Sequence, residues 1–242
     1  DGFALGADDK VNTNTEKYVA WCWKESATSG VDIVSYTGDG NDGRTVSHSL
    51  SAVPSIVFCK SRSTTNGWMV NIENITGTDK HGLKLHSSAA VNTTKFHSDE
   101  PTSSIFTLSD DASSNEDGET FIAYCFAPKQ GFSKFGTVES NGNVDGSFCW
   151  LGFRAAFIMI KSVDSTSSWQ IFDNKREGYN VDNDALVAEA TTAEVTTDYI
   201  DILSNGFKIR TTSDPGVAET YIYMAFAEAP FVNSNGVPCN AR

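Results

Sequence analysis

The chain has 242 residues, and its 18 basic and 31 acidic side chains give a formal charge of −13. This balance argues against nucleic acid as a partner, because a duplex binder gathers Lys and Arg to neutralise phosphates. The hydrophobic fraction of 39% is enough for a packed core, and no apolar run approaches the roughly 18 residues that span a bilayer. We therefore expect a folded, soluble chain without a membrane partner.

The first residues predict a fragment of a longer protein. The chain starts at Asp1, without an initiator Met, a basic segment or an apolar segment of a signal peptide. Phe3–Leu5 and Tyr18–Trp23 have the apolar character of two short strands. We therefore predict that residues 1–24 are the last hairpin of an upstream module.

The chain then repeats itself, which must be recognised before any motif is interpreted. Three aromatic-rich segments each follow a shorter Phe-containing segment, with gaps of 15, 15 and 14 residues. The later segments are Tyr18–Trp23, Phe121–Ala127 and Tyr221–Ala227. Upstream of the second and third segments the agreement continues at an offset of 101, as for Lys60 with Lys161 and Trp68 with Trp169. We predict a first unit at 25–129, a second unit at 130–231 and a tail at 232–242.

Each unit has the pattern of antiparallel β-structure. The predicted strands are rich in β-branched and aromatic residues and are bounded by Gly, Asn, Asp, Pro and Ser; they include Val31–Tyr36, Ser55–Lys60, Trp68–Ile72, Phe121–Phe126, Phe157–Lys161, Phe207–Arg210 and Tyr221–Ala227. Alternation in Trp68–Ile72 and Phe207–Arg210 indicates one wet face. The continuous runs Phe121–Phe126 and Tyr221–Ala227 indicate central strands. The best helical candidate is Asp184–Val195. The fold class is therefore all-β, with tandem antiparallel, jelly-roll-like β-sandwich units, and we expect their open faces to pack on each other or on symmetry mates.

Polar clusters mark the loops. Ser61–Asn66 and Ser162–Ser168 occupy matched positions and are predicted as exposed hairpin tips. Acidic groups such as Asp39–Gly43 are typical of Asx turns. Calcium is the alternative for these oxygen-rich loops, although none fits the twelve-residue EF-hand pattern.

Residues with reactive side chains form no recognised catalytic or metal motif. The four histidines, His48, His81, His86 and His97, all lie in the first unit, outside any GxSxG or HExxH pattern. The five cysteines are scattered, and four of them lie in predicted strands, where a thiol behaves as a small buried hydrophobe. We predict no catalytic residue, no metal site and no cofactor.

Tryptophan and tyrosine give the candidates for ligand binding. Trp68 and Trp169 match in both units, which favours core packing, with sugar stacking as the alternative. Trp150 and Tyr179 break the repeat. We therefore name Trp150 and Tyr179 as the candidate ligand-binding residues.

Together these strings resemble an uncharacterised β-rich domain found near the C-terminus of virion proteins of marine tailed bacteriophages. The resemblance covers roughly residues 18–231, and its motifs include Tyr18–Lys24, Ile33–Gly40, His48–Leu50, Pro54, Lys60–Arg62, Trp68, Phe121–Ala127, Gly131–Gly136 and Tyr221–Glu228 with Pro230–Phe231. The second unit departs from the first at Val138–Ser140, where the first has Tyr36–Gly38. The family contributes no catalytic residues to transfer.

The resemblance implies a non-enzymatic virion structural protein, located on the particle surface as a fibre, appendage or decoration segment. Its expected partners are other virion proteins and further copies of itself, since symmetric homo-oligomers are usual in such assemblies. Two alternatives remain open. One is a carbohydrate-binding adhesin that recognises a host surface glycan, and the other is a polysaccharide-degrading enzyme, which needs two carboxylates converging in a groove.

Overall fold

The computed structural model describes residues 2–72, 81–95, 99–176, 180 and 184–229. Strands account for 38% of the chain and helices for 4%, which confirms the all-β class. The elements within the described ranges are α1 Asp9–Asn12, β1 Val31–Thr37, β2 Arg44–Ser47, β3 Ile56–Ser61, β4 Met69–Ile72, β5 His81–Lys84, β6 Asn92–Lys95, β7 Ile105–Leu108, α2 Ala112–Asn115, β8 Thr120–Phe126, β9 Ser133–Glu139, β10 Phe148–Trp150, β11 Ala155–Ser162, β12 Gln170–Asp173, β13 Leu186–Val187, β14 Ile200–Leu203, β15 Gly206–Ile209 and β16 Thr220–Ala227.

The strands form two large and two small antiparallel sheets. The first large sheet has the order β1-β8-β3-β4-β5-β6, and the second has the order β9-β16-β11-β12-β13. The small sheets are β2-β7 and β10-β15-β14. Five strands of the first large sheet thus recur in the same order in the second. The matched lysines keep their register too, since Lys60 lies opposite Ile122 and Lys161 opposite Ile222.

Three apolar cores hold these sheets in a stack. One core lies between β2-β7 and the first large sheet and includes Leu108 and Phe121. Another lies between β10-β15-β14 and the second large sheet and includes Phe207. The central core joins the two large sheets through residues such as Phe126 and Phe226, whose ring centroids are 6.0 Å apart. The two large sheets thus pack on each other as expected for the open faces of two units, while the tandem sandwich units themselves remain a prediction.

Because each large sheet packs on both faces, its central strands are apolar throughout. β8 and β16 each lie between two neighbours, as their continuous apolar sequence predicts. The wet face expected for Trp68–Ile72 is wrong, because Met69 faces an outer core while Val70 faces the central core. In β15 the prediction holds: Phe207 is buried and Lys208 is half-exposed.

Two other predictions of secondary structure are wrong. Residues 2–24 contain one short helix and no strand, because Tyr18–Trp23 has no paired neighbour of the kind that β8 and β16 have on both sides. Asp184–Val195 is not a helix: Leu186 pairs with Ile171, and Ala185 bridges Val195. Here the neighbouring strand outweighs weak helix propensity. The unit boundaries remain predictions, and no described helix has the length and apolarity to cross a membrane.

The turns behave largely as their composition predicts. Asp39 accepts a hydrogen bond from the backbone N of Asn41 at 3.0 Å, an Asx turn that lowers the pKa of the Asp39 carboxyl. Asn141 makes the same turn with Asn143 before β10. The second predicted hairpin tip is only partly exposed, because Ser167 is buried and donates its backbone N–H to Ser88 O at 2.9 Å.

Candidate functional site

The short strand β10 presents two large aromatic side chains to solvent. Side chains alternate across a strand, so Phe148 and Trp150 lie on the outer face while Cys149 points into the core. Phe148 is 45% exposed and Trp150 is 59% exposed. Burial raises the pKa of the Cys149 thiol to about 11. We call the outer face formed by Phe148 and Trp150 the aromatic platform.

The Trp150 side chain is held in place by its neighbours. Lys134, on β9, places its ammonium 4.4 Å from the centre of the Trp150 ring and donates a hydrogen bond to Trp150 O at 2.6 Å. Gly152 has a φ of +85°, and a Cβ added there would lie 3.1 Å from Trp150 Cζ2. A side chain at position 152 would therefore displace the ring.

A chain of ion pairs begins beside Phe148. Lys208 lies directly opposite Phe148 in the sheet. Asp145 pairs with Lys208 at 2.5 Å and with Arg210 at 3.4 Å, and Arg210 also reaches Asp201 at 2.5 Å. The hydrogen bond from Lys208 lowers the pKa of the exposed Asp145 carboxyl. Such exposed pairs add little to stability, and they connect to the aromatic platform through Lys208, the cross-strand neighbour of Phe148.

The matched face of the first unit has different chemistry. Its outward residues on β2 are Thr45 and Ser47, while Val46 is buried like Cys149. Asp32 lies opposite Cys125, and Lys134 lies opposite the matched Ala225, so Asp32 corresponds to Lys134. The Asp32 carboxylate accepts a hydrogen bond from Ser49 N at 2.5 Å. The two small sheets therefore differ in aromatic content at equivalent positions, and the large-sheet strands β1 and β9 differ in charge at the position of Asp32 and Lys134.

The other aromatic residues named from the sequence differ in their placement. Tyr179, the second candidate ligand residue, lies outside the described residues. Trp169 is buried and donates its indole N–H to Lys84 O at 2.9 Å across the two large sheets, which confirms its predicted core role. Trp68 is half-buried and tilts against Tyr124, with ring centroids 5.8 Å apart.

The described histidine side chains lie close to backbone carbonyl oxygens, and three of the four described cysteines are buried. The imidazole of His48 lies 3.2 Å from Thr102 O, and that of His86 lies 3.1 Å from Trp68 O. Cys59 is buried, which raises the pKa of its thiol to about 12. Cys22, predicted in a strand, is exposed because residues 18–23 are unpaired. His97, Cys239 and the side chain of His81 lie outside the described part. Within that part, no group of three or more His, Cys, Asp or Glu could hold a metal ion.

A buried polar cluster in the second unit was missed by sequence reasoning. Lys161 is fully buried and donates to Ser162 O at 2.7 Å. Burial lowers the pKa of its amine to about 8, against the attraction of Asp214, Glu189 and Glu219. The available signal was the matched Lys60, which likewise donates to Ser61 O and Asn66 O in its own hairpin. Both lysines tie a hairpin to the strand that leads into it.

The comparisons with known proteins give one family and no individual relative. No curated protein matches the chain, and no solved structure matches it. Residues 1–230 match a family described as a domain of unknown function, DUF7483. The match includes both sets of sheets, the aromatic platform and the N-terminal segment. The chain therefore belongs to the DUF7483 family.

Proposed function

We propose that this chain is a non-catalytic structural segment of a phage virion, built from tandem, jelly-roll-like β-sandwich units and displayed on the particle surface. It acts through protein–protein contact, as a fibre, appendage or decoration segment. The observation that carries the proposal is the continuous stack of sheets joined by three cores. A charge of −13 suits an exposed particle surface, because self-repulsion keeps such particles dispersed. The resemblance of the repeated strings to marine phage virion domains supports this location.

The location is tested on intact particles. Mass spectrometry of purified phage particles should detect the chain, and cryo-electron microscopy should locate it on the head or the tail. Its absence from purified particles would contradict the proposal. The expected self-association is tested separately by sedimentation, where a monomer at every concentration would count against a homo-oligomer.

A second candidate function is carbohydrate binding, and the aromatic platform favours it. Sugar rings stack on flat aromatic faces, and hydroxyl groups bond to nearby charged side chains. Phe148 and Trp150 offer the first feature, and Asp145, Lys208 and Arg210 offer the second. In this function the chain would be an adhesin that contacts a glycan on the host cell.

Binding to a glycan array and to host cells tests this second candidate. Trp150→Ala should abolish binding, because an exposed aromatic anchor carries much of the affinity of a small contact. Ser47→Ala changes the matched position of the first unit and should leave binding unchanged. Tyr179→Ala tests the other predicted residue. Binding that survives both aromatic substitutions would remove these two residues from the site, and no binding to any host envelope would remove the adhesin.

A further inference from the structure

The N-terminal segment is a third, incomplete copy of the repeated unit. With a constant offset of 103, Phe3 matches Phe106 of β7, and Tyr18 matches Phe121 of β8. The helices match as well. Asp8 caps α1 by accepting from Lys10 N, and Asp111 caps α2 by accepting from Ser113 N in the same way. Residues 3–23 thus reproduce the sequence order of β7, α2 and β8, and the capped four-residue helix is the element of the three that forms in them.

The side chains of this third copy meet those of the other two. Trp23 matches Phe126 in the first unit and Phe226 in the second. The Trp23 ring centroid lies 6.1 Å from that of Phe126 and 5.4 Å from that of Phe226, and the two Phe rings are 6.0 Å apart. Three matched positions therefore form one triangle in the central core. Trp21, the next inward position, packs against Phe157 at 5.5 Å.

The backbone of the third copy has no sheet around it. β8 pairs with β1 and β3, and β16 pairs with β9 and β11, but residues 18–23 form no β-pair with any described residue. Residues 3–5, the match of β7, likewise form no strand. Phe3 is 63% exposed and Leu5 is 50% exposed, whereas the matched Phe106 and Leu108 are buried. Apolar side chains that are core residues in two copies are thus left in solvent in the third.

Two apolar crevices border residues 18–23. One has a volume of about 490 Å³ and is lined by Trp21, Trp23, Phe58, Trp68 and Tyr124, among others. The other has a volume of about 270 Å³ and includes Val19 and Phe132 in its lining. The indole N–H of Trp21, which borders both crevices, is buried without a hydrogen-bond partner. Exposed apolar surface of this kind marks an interaction site.

We infer that this face receives a third β unit of the same type, supplied by the chain that precedes residue 1. Residues 18–23 become its central strand, flanked by strands equivalent to β1 and β3, and Phe3 and Leu5 enter its outer core. Trp21 and Trp23 already occupy the inward positions of that strand, so the incoming unit continues the interface that joins the first two. The central aromatic core is then shared by three units.

Hydrogen exchange on two chains tests this inference. One is the 242-residue chain, and the other adds the preceding natural sequence of about 85 residues. In the longer chain the amides of residues 18–23 should exchange at least about 100-fold more slowly, because they become sheet amides. The amides of β8 are the internal control and should be protected in both chains. Unchanged exchange at 18–23 in the longer chain, or preceding sequence without the repeat pattern, would overturn the inference.

A substitution pair gives an independent readout. Leu5→Ser should leave the thermal stability of the 242-residue chain unchanged but lower that of the longer chain. Leu108→Ser, at the matched buried position, should destabilise both chains. Equal tolerance of Leu5→Ser in the two chains would contradict a third outer core. If protection of residues 18–23 instead appears in the 242-residue chain as its concentration rises, the partner is a second copy and the inference is wrong.

Discussion

The two small outer sheets occupy equivalent positions on the two large sheets but expose different side chains. In β10-β15-β14 the outward residues of the first strand are Phe148 and Trp150, with Lys134 beside them. In β2-β7 the matched outward residues are the exposed Thr45 and Ser47, and Asp32 takes the place of Lys134.

Inward positions of the same strands keep their character. Val46 and Cys149 are both buried, and so are the matched Phe106 and Phe207. Packing therefore constrains one side of each outer strand in both units, while the other side is free to differ. Large aromatic side chains are exposed at these positions in one unit alone, so the shared fold does not require them. This difference singles out the aromatic platform.

The largest loss of stability is expected from substitutions at the inward positions of the small sheets. Phe106→Ala and Phe207→Ala should each lower the free energy of unfolding by about 3–5 kcal/mol, because each removes a fully buried ring and leaves a cavity. Phe148→Ala, on the outward side, should cost less than about 1 kcal/mol. Urea denaturation measures all three. A cost for Phe148→Ala equal to that for Phe207→Ala would break the distinction between the two sides.

A smaller effect is expected at the matched charged positions. Asp32→Ala should cost about 1–3 kcal/mol, since it leaves Ser49 N without the buried carboxylate that accepts its hydrogen bond. Lys134→Ala should cost about 0.5–1 kcal/mol, the range for a cation over an aromatic ring near the surface. Urea denaturation at low and moderate salt compares them. The reverse order would show that Lys134 has a structural role beyond holding Trp150.

The matched lysines, Lys60 and Lys161, should differ in how their contributions to the unfolding free energy depend on pH. The pKa of Lys161 falls to about 8 from an ordinary 10.5, so between these values the folded chain holds fewer protons than the unfolded chain. The contribution of Lys161 to stability should therefore rise with pH from 8 to 10.5, by roughly 3 kcal/mol. The difference in unfolding free energy between the wild type and Lys161→Met, followed from pH 7 to 10, isolates this contribution. Lys60→Met controls for the loss of a hairpin tie, and a difference that falls as pH rises would contradict the prediction.

The smallest effect on stability should come from converting one outer face into the other. The double variant Phe148→Thr with Trp150→Ser gives the second unit the outward residues of the first. Its free energy of unfolding should fall by no more than about 1 kcal/mol, because the variant loses the contact of Lys134 with the Trp150 ring and otherwise changes surface positions. Glycan or host-cell binding, where it is observed for the wild type, should be lost. Strong destabilisation would mean that the two rings serve packing and not display.

Much of the fold could be predicted from local pattern. Seven predicted strands, from Val31–Tyr36 to Tyr221–Ala227, appear in the structure because β-branched and aromatic runs between turn residues suit a pleated, buried surface. The central position of β8 and β16 followed from their continuous apolar sequence. Trp150 was named from the sequence because it breaks the repeat, and its side chain is exposed. Its neighbour Phe148 was missed, although it also stands where the first unit has a small polar residue, Thr45.

The sequence by itself determined the β class, the repeated unit and the residues that alternate toward a core, because these depend on spacing along the chain. Only the tertiary structure decided which of two cores each side chain enters, as with Met69 and Val70, and which strand-like segment finds partners. Tyr18–Trp23 has the sequence of a central strand, yet a strand exists only when neighbouring backbones supply its hydrogen bonds. These hydrogen-bond partners come from residues distant in sequence, so a local sequence pattern cannot reveal whether they are present.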